Sequence, residues 1–103
     1  MPDEPQAIRL DKWLWQARFC KSRAIAARLV ADGRVRVNAL RVTKPATAVR
    51  VGDGLSFAIG SRVRAIRILA LGARRGPASE AQALYADLDA PAPPLEPDGY
   101  ADT

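Results

Sequence analysis

The amino-acid sequence predicts an α+β domain in which two short helices precede a small, twisted, mainly antiparallel sheet. Apolar residues repeat at helical spacing between Leu10 and Val30, and they alternate with arginine from Arg34 towards Leu71. Gly, Pro and Asn separate the alternating runs, as they do between strands. A short third helix is expected to follow Pro77 and to dock on the sheet.

The domain is expected to occupy residues 8–88 of the 103-residue chain, a length that accommodates one small core. Residues 1–7, with two prolines and two acids, predict a flexible N-terminus. Residues 89–103 contain four prolines and four acids, a composition typical of disorder.

The first helix is expected to be capped by Asp11, because a carboxylate suits the N-cap position. One side of this helix is apolar at the spacing i, i+3, i+4, i+7, and consists of Leu10, Trp13, Leu14 and Ala17. Trp13 is therefore predicted to lie in the core. Trp15 and Phe19, four residues apart, form a second aromatic stripe. Two interpretations of that stripe stay open: packing under a later element, or stacking on bases.

The second helix is predicted to start after an N-cap at Ser22 and to end at Gly33. Its expected inward face consists of Ile25, Ala26, Leu29 and Val30. The two helices together form a short helix-turn-helix.

The strands begin with a predicted hairpin, whose tight turn is Asn38-Ala39. A type I′ turn needs positive φ at both positions, which Ala39 adopts only at a cost. Further strands are expected at residues 48–51, 55–59 and 62–71. A capping box at Ser79 and Gln82 then predicts a helix continuing to Leu88.

Positive charge is concentrated in one part of the chain. All sixteen Lys and Arg residues lie between Arg9 and Arg75, where three acids leave a net charge of +13, although the whole chain carries +5. Such an excess indicates a polyanionic partner, with a solubility function as the alternative. The cations are spread over several elements, which favours nucleic acid over a membrane surface.

RNA is favoured over DNA by the outward residues of the helices. These residues are mainly Arg and Ala with no Asn or Gln, so they suit recognition of backbone and shape rather than of base edges. A helix that enters a DNA major groove remains the alternative.

The sequence contains no motif that indicates an enzyme. With no histidine and one cysteine, Cys20, the chain offers no internal disulfide, no tetrahedral zinc site and no histidine acid–base pair. It shows no Walker loop or dinucleotide fingerprint. We therefore predict a binding protein with no metal, cofactor or small-molecule substrate. No leader or apolar span is evident, which predicts a cytoplasmic protein that does not enter membranes.

Several segments resemble a known family. "RLDKWLW", "KSRAIAARLVADGRVRVN" and the following "KP" resemble the S4 domain, an RNA-binding helix-turn-helix with a β unit. "KWLWQARF" and "RRGPASEAQALY" are similar to the ribosome-associated heat shock protein 15 family, and the resemblance covers about residues 8–85. It implies a non-enzymatic protein of the heat-shock response, and we separately expect the chain to be a monomer. Such a protein binds rRNA of free large ribosomal subunits that still carry a nascent chain on tRNA, and helps to rescue them after translation stalls.

The resemblance also implies which residues contact RNA. They are Arg9, Lys12, Lys21, Ser22 and Arg23 at the helix pair, Asn38, Arg41 and Lys44 at the hairpin, and Arg74 and Arg75 before the last helix. Arg18, Arg28 and Arg36 are further candidates, for which ordinary solvated arginines are the alternative.

Two features depart from the family pattern. Ala39 stands where Gly is preferred, and residues 89–103 are acidic where relatives carry a longer basic extension, so we expect the contacts of that extension to be missing.

Two other functions stay open: an S4-like binder of another structured RNA, and a non-catalytic partner of an RNA-modifying enzyme whose catalytic domain is not in this chain.

Overall fold

The computed structural model describes residues 6–88 and has the predicted α+β architecture. Its elements in chain order are β1 (Ile8–Arg9), α1 (Leu10–Gln16), α2 (Arg23–Ala31), β2 (Val35–Val37), β3 (Leu40–Val42), β4 (Ala48–Val49), β5 (Gly54–Ile59), β6 (Arg62–Ile68), α3 (Ala78–Gln82) and β7 (Tyr85–Asp87). The predictions for residues 1–5 and 89–103 lie outside the described residues.

Five strands form one antiparallel sheet in the order β3-β2-β5-β6-β7. Val35 pairs with Phe57, and Leu55 pairs with Ile66, so the buried residues of neighbouring strands share one face. β1 and β4 form a separate two-stranded antiparallel sheet, which the sequence did not predict.

The core joins α1 and α2 to this face of the sheet in one apolar cluster. Trp13 is fully buried, as predicted, and its Nε1 donates a hydrogen bond of 3.0 Å to the carbonyl oxygen of Ala70. Ala26 and Val30 of α2 are also fully buried. The prediction that Ile25 faces inward is wrong, because its side chain is 52% exposed.

The second helix follows its predicted capping. The Oγ atom of Ser22 accepts a hydrogen bond of 3.1 Å from the backbone N–H of Ile25. Gly33, beyond the end of the helix, has a φ of +75°, the left-handed conformation that ends many helices.

The predicted hairpin is present, with Asn38 and Ala39 as its two turn residues. Their φ values are +50° and +72°, as a type I′ turn requires. Ala39 therefore adopts the backbone conformation for which Gly is preferred.

The C-terminal part differs from its prediction. α3 has only five residues and begins after Pro77 with no side-chain cap, so the capping box at Ser79 and Gln82 is wrong. Tyr85–Asp87 is a strand rather than a helix. Its residues pair with β6, and this tertiary pairing outweighs their helical periodicity.

Strand lengths also differ from prediction. β6 ends at Ile68, and the backbone N–H groups of Leu69 and Ala70 both donate to the carbonyl oxygen of Leu84. β4 has two residues and leaves Val51 outside the strand, 58% exposed. Within residues 6–88, no helix has the length and apolar character needed to cross a membrane.

Candidate nucleic-acid interface

A buried carboxylate organises the start of α1. The side chain of Asp11 is 5% exposed and accepts hydrogen bonds of 3.0 Å from both Nε and Nη2 of Arg9. Arg23, the first residue of α2, places its Nη2 3.5 Å from the Asp11 Oδ1. The prediction that Asp11 caps α1 is wrong, because Arg9 occupies the N-cap position and Asp11 lies inside the helix.

The charge state of Asp11 follows from two opposing effects. Burial raises the pKa of its carboxyl group, but the hydrogen bonds and charge of Arg9, with the charge of Arg23, hold that pKa below its ordinary value. The carboxylate is therefore ionised at neutral pH and fixes two guanidinium groups, each about half exposed, at the joined ends of α1 and α2.

The segment before β4 adds a cation at the same place. The backbone N–H groups of Leu10 and Asp11 donate to the carbonyl oxygens of Thr47 and Pro45, at 2.8 and 3.2 Å. The Thr47 hydroxyl in turn donates to the carbonyl oxygen of Lys44 at 2.6 Å. Exposed Lys44 is thereby held beside the start of α1.

The structure thus brings six of the predicted residues around the starts of α1 and α2. We refer to them as the helix-start cluster: Arg9, Lys12, Lys21, Ser22, Arg23 and Lys44. Lys21 is exposed in the loop between the helices, and Lys12 is half-buried on α1. The Ser22 hydroxyl already accepts the capping hydrogen bond from Ile25.

The hairpin residues lie apart from this cluster. Arg41 donates from Nε to the carbonyl oxygen of Gly33 at 3.1 Å, which places it at the far end of α2, where exposed Arg28 also lies. The Asn38 side chain donates to Asp53 and accepts from the Gly54 N–H, at 3.1 and 2.9 Å. These bonds fix the hairpin tip, so Asn38 serves the fold whatever else it contacts.

The adjacent arginines before α3 have different partners. Arg74 forms a two-point ion pair with Glu80, at 2.9 and 3.2 Å. Arg75 lies against α1, where its Nε donates to the Trp15 carbonyl oxygen at 3.1 Å. Arg18, with a φ of +65°, donates to the carbonyl oxygen of Gly76 at 2.6 Å. Arg18 and Arg75 therefore lie at the end of α1, whereas Arg74 is held by Glu80 of α3.

The two aromatic residues of the second stripe have different environments. Phe19 lies beyond α1 and packs against Phe57 and Tyr85, with ring centroids 4.8 and 4.6 Å apart. Packing is therefore the correct interpretation for Phe19. Trp15 is half-buried, and the guanidinium of Arg75 lies over its ring.

The one cysteine is also a packing residue: Cys20 is 5% exposed in the core, and burial raises the pKa of its thiol.

The role of Asp11 and the 44–47 segment could not be found from the sequence. The pair Arg9 and Asp11 is local, but Arg23 is twelve residues away and Thr47 is further still, so no spacing indicates that they meet. Helical periodicity places Asp11 beside the apolar stripe at the start of the helix. A carboxylate at a helix start is usually expected to be an N-cap.

Comparison with known proteins identifies the family. The S4 domain model matches residues 8–55. Heat shock protein 15 of Escherichia coli is 41% identical over 86 residues, which is 82% of this chain, and the chain spans 64% of the length of that relative. The RQC P-site tRNA stabilizing factor of Streptococcus pneumoniae is 31% identical over 62 residues, 60% of this chain and 69% of that protein.

A solved structure agrees with both the fold and the family. It is described as the trimeric structure of Vibrio cholerae Heat Shock Protein 15, and it is 38% identical, with a TM-score of 0.76. The match covers 81% of this chain and 83% of that chain. The trimer is a property of the Vibrio protein, and the monomeric state predicted for this chain stays a prediction. The chain carries an S4 domain and belongs to the heat shock protein 15 family.

Proposed function

We propose that residues 8–88 form a non-enzymatic RNA-binding unit and that the helix-start cluster is its main contact with RNA phosphates. The observation that carries this proposal is the Asp11 carboxylate, which holds Arg9 at 3.0 Å and Arg23 at 3.5 Å. Lys12 and Lys21 lie within two residues of Asp11 and Arg23 in the chain. Preorganised guanidinium groups bind phosphate with little loss of side-chain entropy. Arg28, Asn38, Arg41, Arg74 and Arg75 are proposed as contacts that extend this surface.

The charge of the described residues supports a polyanionic partner. Residues 6–88 contain all sixteen Lys and Arg residues of the chain and five of its eleven acids. Of those acids, Asp11, Asp87 and Glu80 each form an ion pair with arginine. Most of the cations therefore have no acidic partner within residues 6–88, and a phosphate backbone supplies the missing charge.

We further propose that the RNA is ribosomal. The protein would bind large ribosomal subunits that carry a nascent chain on tRNA, in the cytoplasm, during rescue of stalled translation. Two relatives support this proposal: a heat shock protein 15, and a factor named for stabilising P-site tRNA. Neither name is that of an enzyme, which agrees with a binding function.

Cosedimentation with separated ribosomal subunits over a salt series tests the proposal. Lys12→Glu, Lys21→Glu is the informative double variant, because neither lysine forms an ion pair within residues 6–88. Arg34→Glu, Arg62→Glu is the matched control, with the same change of charge at exposed residues outside the cluster. If five cations meet phosphates, log affinity should fall against log salt with a slope of roughly −3 to −5.

The expected result is binding to the large subunit that the cluster variant loses and the control retains. Equal binding by both variants would exclude the helix-start cluster as the contact surface. Failure of the unmodified protein to bind either subunit would overturn the ribosomal part of the proposal.

A second function is favoured by the extent of the family match. The S4 model covers residues 8–55 alone, so it fits a binder of another structured RNA, including a non-catalytic partner of an RNA-modifying enzyme, equally well. Bulk tRNA that competes as well as large subunits, or co-purification of such an enzyme, would favour this function. Preference for duplex DNA over both RNAs would indicate a DNA-binding protein.

A further inference from the structure

The face of the five-stranded sheet that lies opposite the helices forms a second cationic surface. Strand pairing places alternate residues on this face, away from the buried Val35, Leu55 and Phe57. We call it the outer sheet face, and its residues include Arg36, Arg41, Ser56, Ala58, Val63, Arg67 and Ala86.

Within residues 6–88, no carboxylate forms an ion pair with the arginines of the outer sheet face. Arg36 and Arg41 lie directly opposite each other on paired strands, an arrangement in which like charges are destabilising. Arg41 and Arg67 donate to the backbone carbonyl oxygens of Gly33 and Gly52, at 3.1 and 2.9 Å, which are neutral acceptors. Within residues 6–88 none of the three forms an ion pair, so the face suits a negatively charged ligand.

Between the arginines, the outer sheet face has short side chains and is partly apolar. Ala58 and Ala86 are half-buried, and Val63 is 66% exposed. A phosphate backbone buries little apolar area on such a surface. A peptide with both carboxylates and proline rings can bind the arginines and also cover the apolar residues. Except at Arg41, which lies on the edge strand β3 and is also proposed as an RNA contact, the outer sheet face therefore fits an acidic, proline-containing segment better than it fits RNA.

We propose that the outer sheet face binds residues 89–103 of the same chain. This segment has four acids, Asp89, Glu96, Asp98 and Asp102, together with four prolines. Its charge is complementary to the three arginines. The prolines would lie on the apolar surface beside Val63, and the acids would relieve the repulsion between Arg36 and Arg41.

The position of the last described residue makes this contact reachable. Leu88 donates from its backbone N–H to the Ala65 carbonyl oxygen at 2.8 Å, so the chain leaves the sheet at the end of the edge strand β7, beside the middle of β6. Neighbouring strands lie about 4.8 Å apart, so Arg36, three strands from β7, is about 14 Å away and Arg41 about 19 Å away. Eight residues of extended, proline-containing chain cover about 25 Å, which brings Glu96 within reach of both.

A spin label tests the proposal without any RNA, so its outcome is independent of the proposed function. The probe is a nitroxide on Thr103→Cys in the full chain, with Cys20→Ala to leave a single thiol. At low salt we expect the amide signals of Arg36, Ser56 and Arg67 to lose most of their intensity, and high salt should restore them. Arg36→Glu should weaken this loss, and Arg28→Glu, on α2, should not.

Three results would overturn the proposal. The first is an outer sheet face whose signals keep their intensity at low salt, while the amide spectrum shows a folded protein. The second is signal loss that maps to α1 and α2 instead. The third comes from an RNA duplex added to the unlabelled protein. If the RNA shifts the amide signals of the outer sheet face, and shifts them equally when the four acids of residues 89–103 are replaced by their amides, this face is a nucleic-acid surface.

Discussion

The guanidinium carbon of Arg75 lies 5.7 Å from the centroid of the Trp15 ring, and the Nε atom of the same side chain donates to the Trp15 carbonyl oxygen. One arginine therefore covers the aromatic ring and also binds a carbonyl group at the end of α1. Trp15 has a partner within the protein on that side of its ring, which weakens the interpretation of Trp15 as a platform for bases.

Replacement of Arg75 should cost more stability than replacement of its neighbour. Arg75→Ala loses a cation–π contact and a hydrogen bond, and should lower the free energy of unfolding by about 1 kcal/mol. Arg74→Ala loses an exposed ion pair with Glu80, and its effect should be smaller. Urea unfolding of the two variants measures the difference. An equal or larger loss for Arg74→Ala would contradict the contact assigned to Arg75.

Asp11→Asn should destabilise the protein at neutral pH by about 1–3 kcal/mol, because the amide leaves Arg9 and Arg23 without their buried anion. The pKa of Asp11 is lower in the folded than in the unfolded protein, so its contribution is fully present above the unfolded value. It is lost as the pH falls through the folded value.

The difference in unfolding free energy between the unmodified protein and Asp11→Asn should therefore be constant at neutral pH and shrink below about pH 4. Urea unfolding from pH 7 to pH 3 measures it. A difference that grows as the pH falls would show that the Asp11 pKa is raised rather than lowered.

Ser22→Ala should lower stability by about 1 kcal/mol, since it removes the side-chain acceptor that caps α2. Ser79→Ala is the matched control, because Ser79 lies inside α3 and caps nothing. Thermal unfolding of both variants measures the difference between their losses of stability. Comparable losses at the two positions would mean that the capping box predicted from the sequence forms after all.

Ala39→Gly should stabilise the hairpin. The φ of +72° at Ala39 is costly for a residue with a Cβ atom, and glycine removes this cost, with an expected gain of about 0.5–1 kcal/mol. Ala58→Gly, inside β5, should destabilise by a similar amount because glycine is unfavourable in strands. Chemical unfolding distinguishes the two signs, and destabilisation by Ala39→Gly would rule out strain at the turn.

Local signals predicted much of this fold. Ser22 and Gly33 bound α2 because capping depends on residues within one turn. The Asn38-Ala39 turn and the burial of Trp13 likewise follow from short-range patterns.

The remaining features depend on partners that are distant in the chain. Tyr85 continues a helical pattern but pairs with Ile68, and only the free edge of β6 makes a strand preferable. Ile25 belongs to an apolar stripe, yet its side chain is 52% exposed, because no helix or strand within residues 6–88 packs fully over it. The candidate site follows the same division, because its cations could be predicted from composition while their attachment to Asp11 could not.

Hydrogen bonds that residues 13–18, in and just after α1, donate to residues 70–76 have a consequence for synthesis of the protein. Trp13, Gln16 and Arg18 donate to the carbonyl oxygens of Ala70, Leu71 and Gly76, each more than fifty residues later in the chain. A helix of seven residues is marginal without such contacts. A growing polypeptide that has not yet released residues 70–76 from the ribosome therefore lacks the support that orients its basic helix pair. The partly made protein cannot yet display the surface with which we propose the finished one binds ribosomes.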